Sequence, residues 1–125
     1  PGGVIILPAT CPEGAGEGAG EQRFYEEMAS GETPEQIVTR IKRHGIRLGA
    51  QRAYIVASML RDVSVIVTGM DHPEIAREMG FETAESIAEA LSKATAITGV
   101  PARAAIIPHA LTTLPIIPLE PAFAR

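Results

Sequence analysis

Apolar residues along this chain fall into a few short runs, with longer amphipathic stretches between them. Val4 to Leu7 is an unbroken β-favouring run between Gly2-Gly3 and Pro8, and it predicts a fully buried strand. Glu21 to Ala29 predicts a short helix with Phe24 and Met28 on one face, ended before Gly31. Thr33, Pro34 and Gln36 form a capping-box start for a helix that buries Ile37, Val38 and Ile41 and stops at His44-Gly45. A third helix is expected over Gly49 to Arg61, with Ala53, Val56, Ala57 and Leu60 inward. Val63 to Thr68 predicts a central strand. Asp71-His72-Pro73 then starts a short helix running to Met79 and capped by Gly80. Thr83 to about Thr98 predicts another helix with Ile87, Leu91 and Ala94 inward, and Arg103 to Pro108 a third strand.

Strands alternating with helices predict an α/β fold: a small three-layer parallel sheet of about three strands with helices on both faces, joined by right-handed crossovers. Sheets of this class average about five or six strands. So thin a sheet suggests a truncated piece of a larger Rossmann-like domain. The start points the same way, since there is no initiator Met and Pro1-Gly2-Gly3 feeds straight into a buried strand. Residues 1–125 are expected to form one α/β domain with a Pro-rich, extended tail over 111–125. The tail's Leu114, Ile116, Ile117 and Leu119 are expected to pack on the domain's own surface, with a docking face for a partner domain as the alternative.

Composition narrows the function. An apolar fraction of 46% and a charged fraction of 21% fit a globular protein, and aromatics at 4% leave Ile, Val, Leu and Ala to fill the core. A net charge of −4 without a basic, aromatic-studded face argues against nucleic-acid binding. The apolar stretch Ala104 to Leu119 is too short, and too broken by Pro108, His109, Pro115 and Pro118, to span a bilayer. With no leader pattern, a cytoplasmic location is expected. A single cysteine, Cys11, rules out an internal disulfide and a Cys-rich zinc site.

The candidate chemistry lies after the strands. The loop from Glu13 through Gly14, Gly16 and Gly18 to Gly20 follows the first strand, where ligands bind in parallel α/β sheets. Alternate glycines there allow close backbone approach and an anion-binding nest. Gly14 to Ala19 fits G-x-G-x-x-A, but the strand–turn–acid context of a dinucleotide site is absent, and there is no P-loop. Cys11, Asp71 with His72, and His109 follow three different strands and could converge as a nucleophilic or metal constellation. The expected reading is plainer: each is a loop or helix-cap residue. Arg47, Gln51 and Arg52, near the start of the third helix, could hold an anion or simply form a solvated face.

Taken in order, several blocks resemble a known family. They are Gly2 to Ala9, Glu13 to Gly16, Arg23 to Tyr25, Thr33 to Ile37, Leu48 to Tyr54, Val65 to Thr68, Met79 to Phe81 with Ser86 to Leu91, Ile107 to His109 and Thr113 to Pro115. The chain resembles the C-terminal domain of the nickel-dependent lactate racemase family, over nearly its whole length. The resemblance implies a two-domain isomerase, a racemase or epimerase of a small 2-hydroxy acid, with its active site between the domains. It implies hydride transfer through a nickel pincer nucleotide, with the paired histidines, the tethering lysine and the nickel ligand all in an N-terminal catalytic domain of the same polypeptide. None of those groups matches a position here. The expectation is therefore no catalytic, cofactor-binding or metal residue in this chain, no cofactor bound to it alone, and no activity of the fragment. Glu13, Gly14, Gly16, Gly18, Asp71, His72 and His109 remain as cleft-lining candidates. The family often has His-Gly-Gly after the last strand, where this chain has His109-Ala-Leu. The alternative function is a stand-alone α/β ligand-binding or interaction module without catalysis; a thiol enzyme built on Cys11 is a third.

Overall fold

The computed structural model describes residues 2–99, 103–114 and 116. In chain order the elements are β1 (Gly3–Pro8), α1 (Ala19–Met28), α2 (Pro34–His44), α3 (Gln51–Leu60), β2 (Val63–Thr68), α4 (Pro73–Glu78), β3 (Glu82–Ala84) and α5 (Ile87–Thr98). The strands form one parallel sheet in the order β1-β2-β3, with Ile5 opposite Val65 and Ile66 opposite Glu82.

β2 is the central strand, and its alternation divides the core. Ile66 faces α5 and packs with Ala90, Val4 and Ile6. Val65 and Val67 point the other way, against Ala76 of α4 and Met59 and Leu60 of α3. The sheet thus carries helices on both faces, as the alternating pattern predicts. Farther from the sheet, α1, α2 and α3 share a core of Met28, Ile37, Val38, Ile41, Ala53 and Ala57.

Local chemistry explains where helices start. The Thr33 hydroxyl accepts the Gln36 N–H at 3.3 Å and the Gln36 side chain accepts the Thr33 N–H at 2.8 Å, completing the expected capping box of α2. α5 begins later than expected. The Ser86 hydroxyl accepts the Glu89 N–H at 3.2 Å, while the Glu89 carboxylate accepts the Glu85 N–H at 2.8 Å. That cap fixes the helix start at Ile87 and leaves Thr83 free to extend in β3.

Four expectations change. The third strand is Glu82–Ala84, not Arg103 to Pro108, whose residues 103–107 form no ladder and are exposed. β1 is not fully buried: it is an edge strand covered by α5 on one face, which leaves Ile5 and Leu7 exposed on the other. On α5 the inward residues are Ala90 and Ala94, while Ile87 and Leu91 are half exposed. The small alanines let the helix lie close to the sheet, and the larger side chains fall to its flank. Leu114 and Ile116 are exposed rather than packed on the domain; the remainder of the tail, Pro115 and 117–125, lies outside the described residues.

Candidate functional site

The loops after β1 and β2 are joined at the carboxyl end of the sheet. The Ala9 N–H donates to Thr68 O at 3.0 Å, continuing the ladder past β1, and the Asp71 N–H donates to Thr10 O at 2.9 Å. Two turns then fold the glycine loop, with the Gly14 N–H on Cys11 O at 3.0 Å and the Gly16 N–H on Glu13 O at 2.9 Å. Gly14 has φ +59 and lies so close to α4 that an added Cβ would stand 2.9 Å from the Ile75 Cδ1 and 3.9 Å from the His72 ring. A side chain there would have to displace the tip of Ile75, and the left-handed backbone adds a second preference for glycine.

Glu13, Gly14 and Gly16, together with Cys11 and Glu21, therefore line a shallow, open depression of about 450 Å³ beside His72. Asp71 and His72 are exposed, and the His72 Nδ1 lies 3.4 Å from a Glu74 carboxylate oxygen. Gly18 sits at the N-cap of α1, where its N–H donates to the Glu21 carboxylate at 2.8 Å. One amide of the loop expected to hold an external anion, that of Gly18, is thus taken by the chain's own acid. His109 is not brought to this group by any hydrogen bond among the described residues. It sits at φ +54 in an exposed turn, where its carbonyl accepts from Thr112 and Thr113. Cys11 is exposed at φ +44 and has no histidine partner among the described hydrogen bonds.

A second depression, of about 420 Å³, lies at the ends of β2 and β3 between Gly69, Met70, Arg77, Thr83 and Lys93. Arg77 donates to the Thr83 hydroxyl at 2.9 Å, and Lys93 donates to Thr83 O at 2.7 Å while pairing with Glu89 at 2.8 Å. The Lys93 ammonium holds the Glu89 carboxyl below its ordinary value, with help from the Glu85 N–H. Both cations are engaged in holding β3 to α4 and α5. The sequence does not reveal this cluster, because the pattern from Thr83 onward predicts a helix where the structure has β3.

The strongest charge cluster lies among the outer helices. Glu27, buried, accepts from Arg40 at 2.8 Å and from Arg47 at 3.1 Å, and Arg47 also binds Glu26 at 2.9 Å. Burial pushes the Glu27 carboxyl up, but the hydrogen bonds from Arg40 and Arg47 outweigh it and hold the pKa below the ordinary range. Arg47, a candidate anion holder by its position, is instead part of this structural network.

Among the described residues no three His, Cys, Asp or Glu side chains come together as a metal site. The site supplies polar lining and an approachable backbone. Among the described residues no helix is long and apolar enough to cross a membrane.

A family model described as the lactate racemase C-terminal domain matches residues 1–114. A solved structure, the lactate racemase apoprotein from Thermoanaerobacterium thermosaccharolyticum, is similar at 28% identity with a TM-score of 0.67. The similarity covers 78% of this chain and 24% of that one, so the chain matches about a quarter of its solved relative. No curated protein matches.

Proposed function

This chain belongs to the lactate racemase C-terminal domain family, and we propose that it is the C-terminal domain of an isomerase that racemises or epimerises a small 2-hydroxy acid. The observation that carries the reading is the family match over residues 1–114, joined to loops that gather at the carboxyl end of the sheet. Such a surface suits one wall of an interdomain cleft. The opposite wall, an N-terminal catalytic domain of the same polypeptide, would bear the acid–base groups and the nickel pincer nucleotide. When bound there, that cofactor supplies a hydride acceptor and donor for the substrate's carbinol carbon.

In this reading Glu13, Asp71 and His72 face the cleft from the carboxyl end of the sheet. Gly14 and Gly16 keep the wall low, and Gly18 anchors it to α1. His109 stands at the margin. The setting is cytoplasmic. The test is an assay of 2-hydroxy acid enantiomer interconversion by the full-length protein, loaded with cofactor, beside residues 1–125 alone. The full-length protein is expected to interconvert at least one such acid and the fragment none. Turnover by the fragment alone would overturn the proposal, as would a loaded full-length protein inert towards every 2-hydroxy acid.

A further inference from the structure

β2 and β3 send their following helices to opposite faces of the sheet. α4 packs through Ala76 on the face of Val65 and Val67, whereas α5 packs through Ala90 on the face of Ile66 and Ala84. The loops after the two strands diverge and leave a crevice outside their carboxyl ends, where open α/β sheets bind ligands. This crevice is the depression of about 420 Å³ beside Thr83, and its size is that of a small-molecule site. It shares no lining residue with the depression at the glycine loop. α4 serves both, with Pro73 and Arg77 on the crevice and Ile75 against Gly14.

Four charged side chains line the crevice: Arg77, Lys93, Glu85 and Glu89. Two of them satisfy each other. Lys93 pairs with one Glu89 oxygen at 2.8 Å and donates to Thr83 O at 2.7 Å. The other Glu89 oxygen accepts the Glu85 N–H at 2.8 Å. One cation and one anion are left over. Arg77 uses a single N–H, on the Thr83 hydroxyl at 2.9 Å, and the rest of its fork has no partner among the described residues. The Glu85 carboxylate is exposed and likewise has no partner among the described residues. Much of the remaining wall is apolar, from Val67, Met70 and Pro73.

We propose that this crevice binds a small α-amino acid with an apolar side chain, as its zwitterion. The free edge of the Arg77 guanidinium, a planar fork that matches a carboxylate, takes the ligand's carboxylate. The Thr83 hydroxyl accepts from Arg77 and so keeps its own proton to donate to the same group. The Glu85 carboxylate takes the ammonium, and the ligand's side chain lies against Met70 and Pro73. A ligand with one charge leaves either Arg77 or Glu85 unanswered. A plain carboxylate, a hydroxy acid included, is therefore a poorer match than a zwitterion, and so is a plain amine. The site is separate from the proposed cleft and does not depend on the racemase reading.

Calorimetric titration of the full-length protein with L-valine tests it, beside isovalerate and isobutylamine, each of which keeps one of valine's two charges. Valine is expected to bind saturably, and either analogue at least about tenfold more weakly, the loss of one charge-assisted contact. Arg77→Gln and Glu85→Gln are each expected to weaken valine binding about tenfold. The Glu85 carboxylate holds nothing in the fold among the described residues, so its variant should melt with the parent and report the contact alone. No saturable binding of valine overturns the proposal. Isovalerate bound as tightly as valine also overturns it, by marking a plain anion site. Valine binding untouched by both variants does the same, by placing the ligand elsewhere. Valine held through Arg77 and Glu85 in a protein that racemises no hydroxy acid would remove the functional reading and leave this one standing.

Discussion

The carboxylate of Glu21 closes the glycine loop by accepting the Gly18 N–H at 2.8 Å, directly above Gly16. A Cβ on Gly16 would stand 2.7 Å from the carboxyl carbon of Glu21, and Gly16 also has φ +82. Gly18, by contrast, has φ −70 and faces only the mobile end of the same side chain. Alternate glycines in this loop thus serve different ends: Gly14 lets α4 approach, Gly16 makes room for the cap, and Gly18 supplies the amide.

Gly16→Ala should therefore destabilise the domain by about 2–3 kcal/mol, combining a left-handed backbone penalty with loss of the Glu21 cap. Gly18→Ala should cost less than about 1 kcal/mol. Urea unfolding of the two variants measures the gap. Equal midpoints would show that the loop does not depend on the Glu21 closure.

Acid should weaken the domain through Glu27. Its folded pKa is depressed because the Arg40 and Arg47 hydrogen bonds overcome the effect of burial. The associated stability is present above the ordinary carboxyl value of 4.5 and is lost as pH falls through the lower folded value. Glu27→Gln should cost about 2 kcal/mol at neutral pH, less than a wholly buried pair because Arg47 is largely exposed. The variant should also lose less stability between pH 6 and pH 3 than the parent does. Unfolding curves at the two pH values would show parallel losses if another carboxylate dominates.

Thr33→Ala removes the acceptor for the Gln36 amide and should cost about 1 kcal/mol. Thr33→Ser keeps the oxygen and should cost only a few tenths of that, since serine caps as well as threonine. Thermal melts that rank the serine variant with the alanine variant would contradict the cap as the source.

What was legible in the chain followed from local chemistry. Val63–Thr68 is apolar on both faces because helices cover it on both, so its run marked it correctly. Thr33, Pro34 and Gln36 declare a helix start within four residues, without reference to any distant contact. β3 escaped because Glu82, Thr83 and Ala84 show no apolar alternation, and only pairing with β2 makes them a strand. β1 differs for the opposite reason: its composition matches a buried strand, but it lies at the sheet edge, where Ile5 and Leu7 are exposed. The Glu27 network was illegible because Glu27, Arg40 and Arg47 are charges on separate segments with no shared spacing. At the candidate site, the sequence located the loops correctly but did not reveal that Glu21 occupies the Gly18 amide.

The proposed cleft wall predicts a particular kinetic signature in the full-length enzyme. Glu13 and His72 are exposed beside the glycine loop and share in no metal cluster among the described residues. Groups that only line a cleft contribute to binding of ground state and transition state alike. Glu13→Ala and His72→Ala should therefore raise KM by about 3–10-fold with kcat held within about twofold. Cys11→Ser, altering an exposed thiol with no histidine partner, should change neither. Steady-state kinetics on the three variants decides the matter. A loss of about a thousandfold in kcat for any one of them would place a reacting group on this domain, and its role would then be catalysis rather than enclosure.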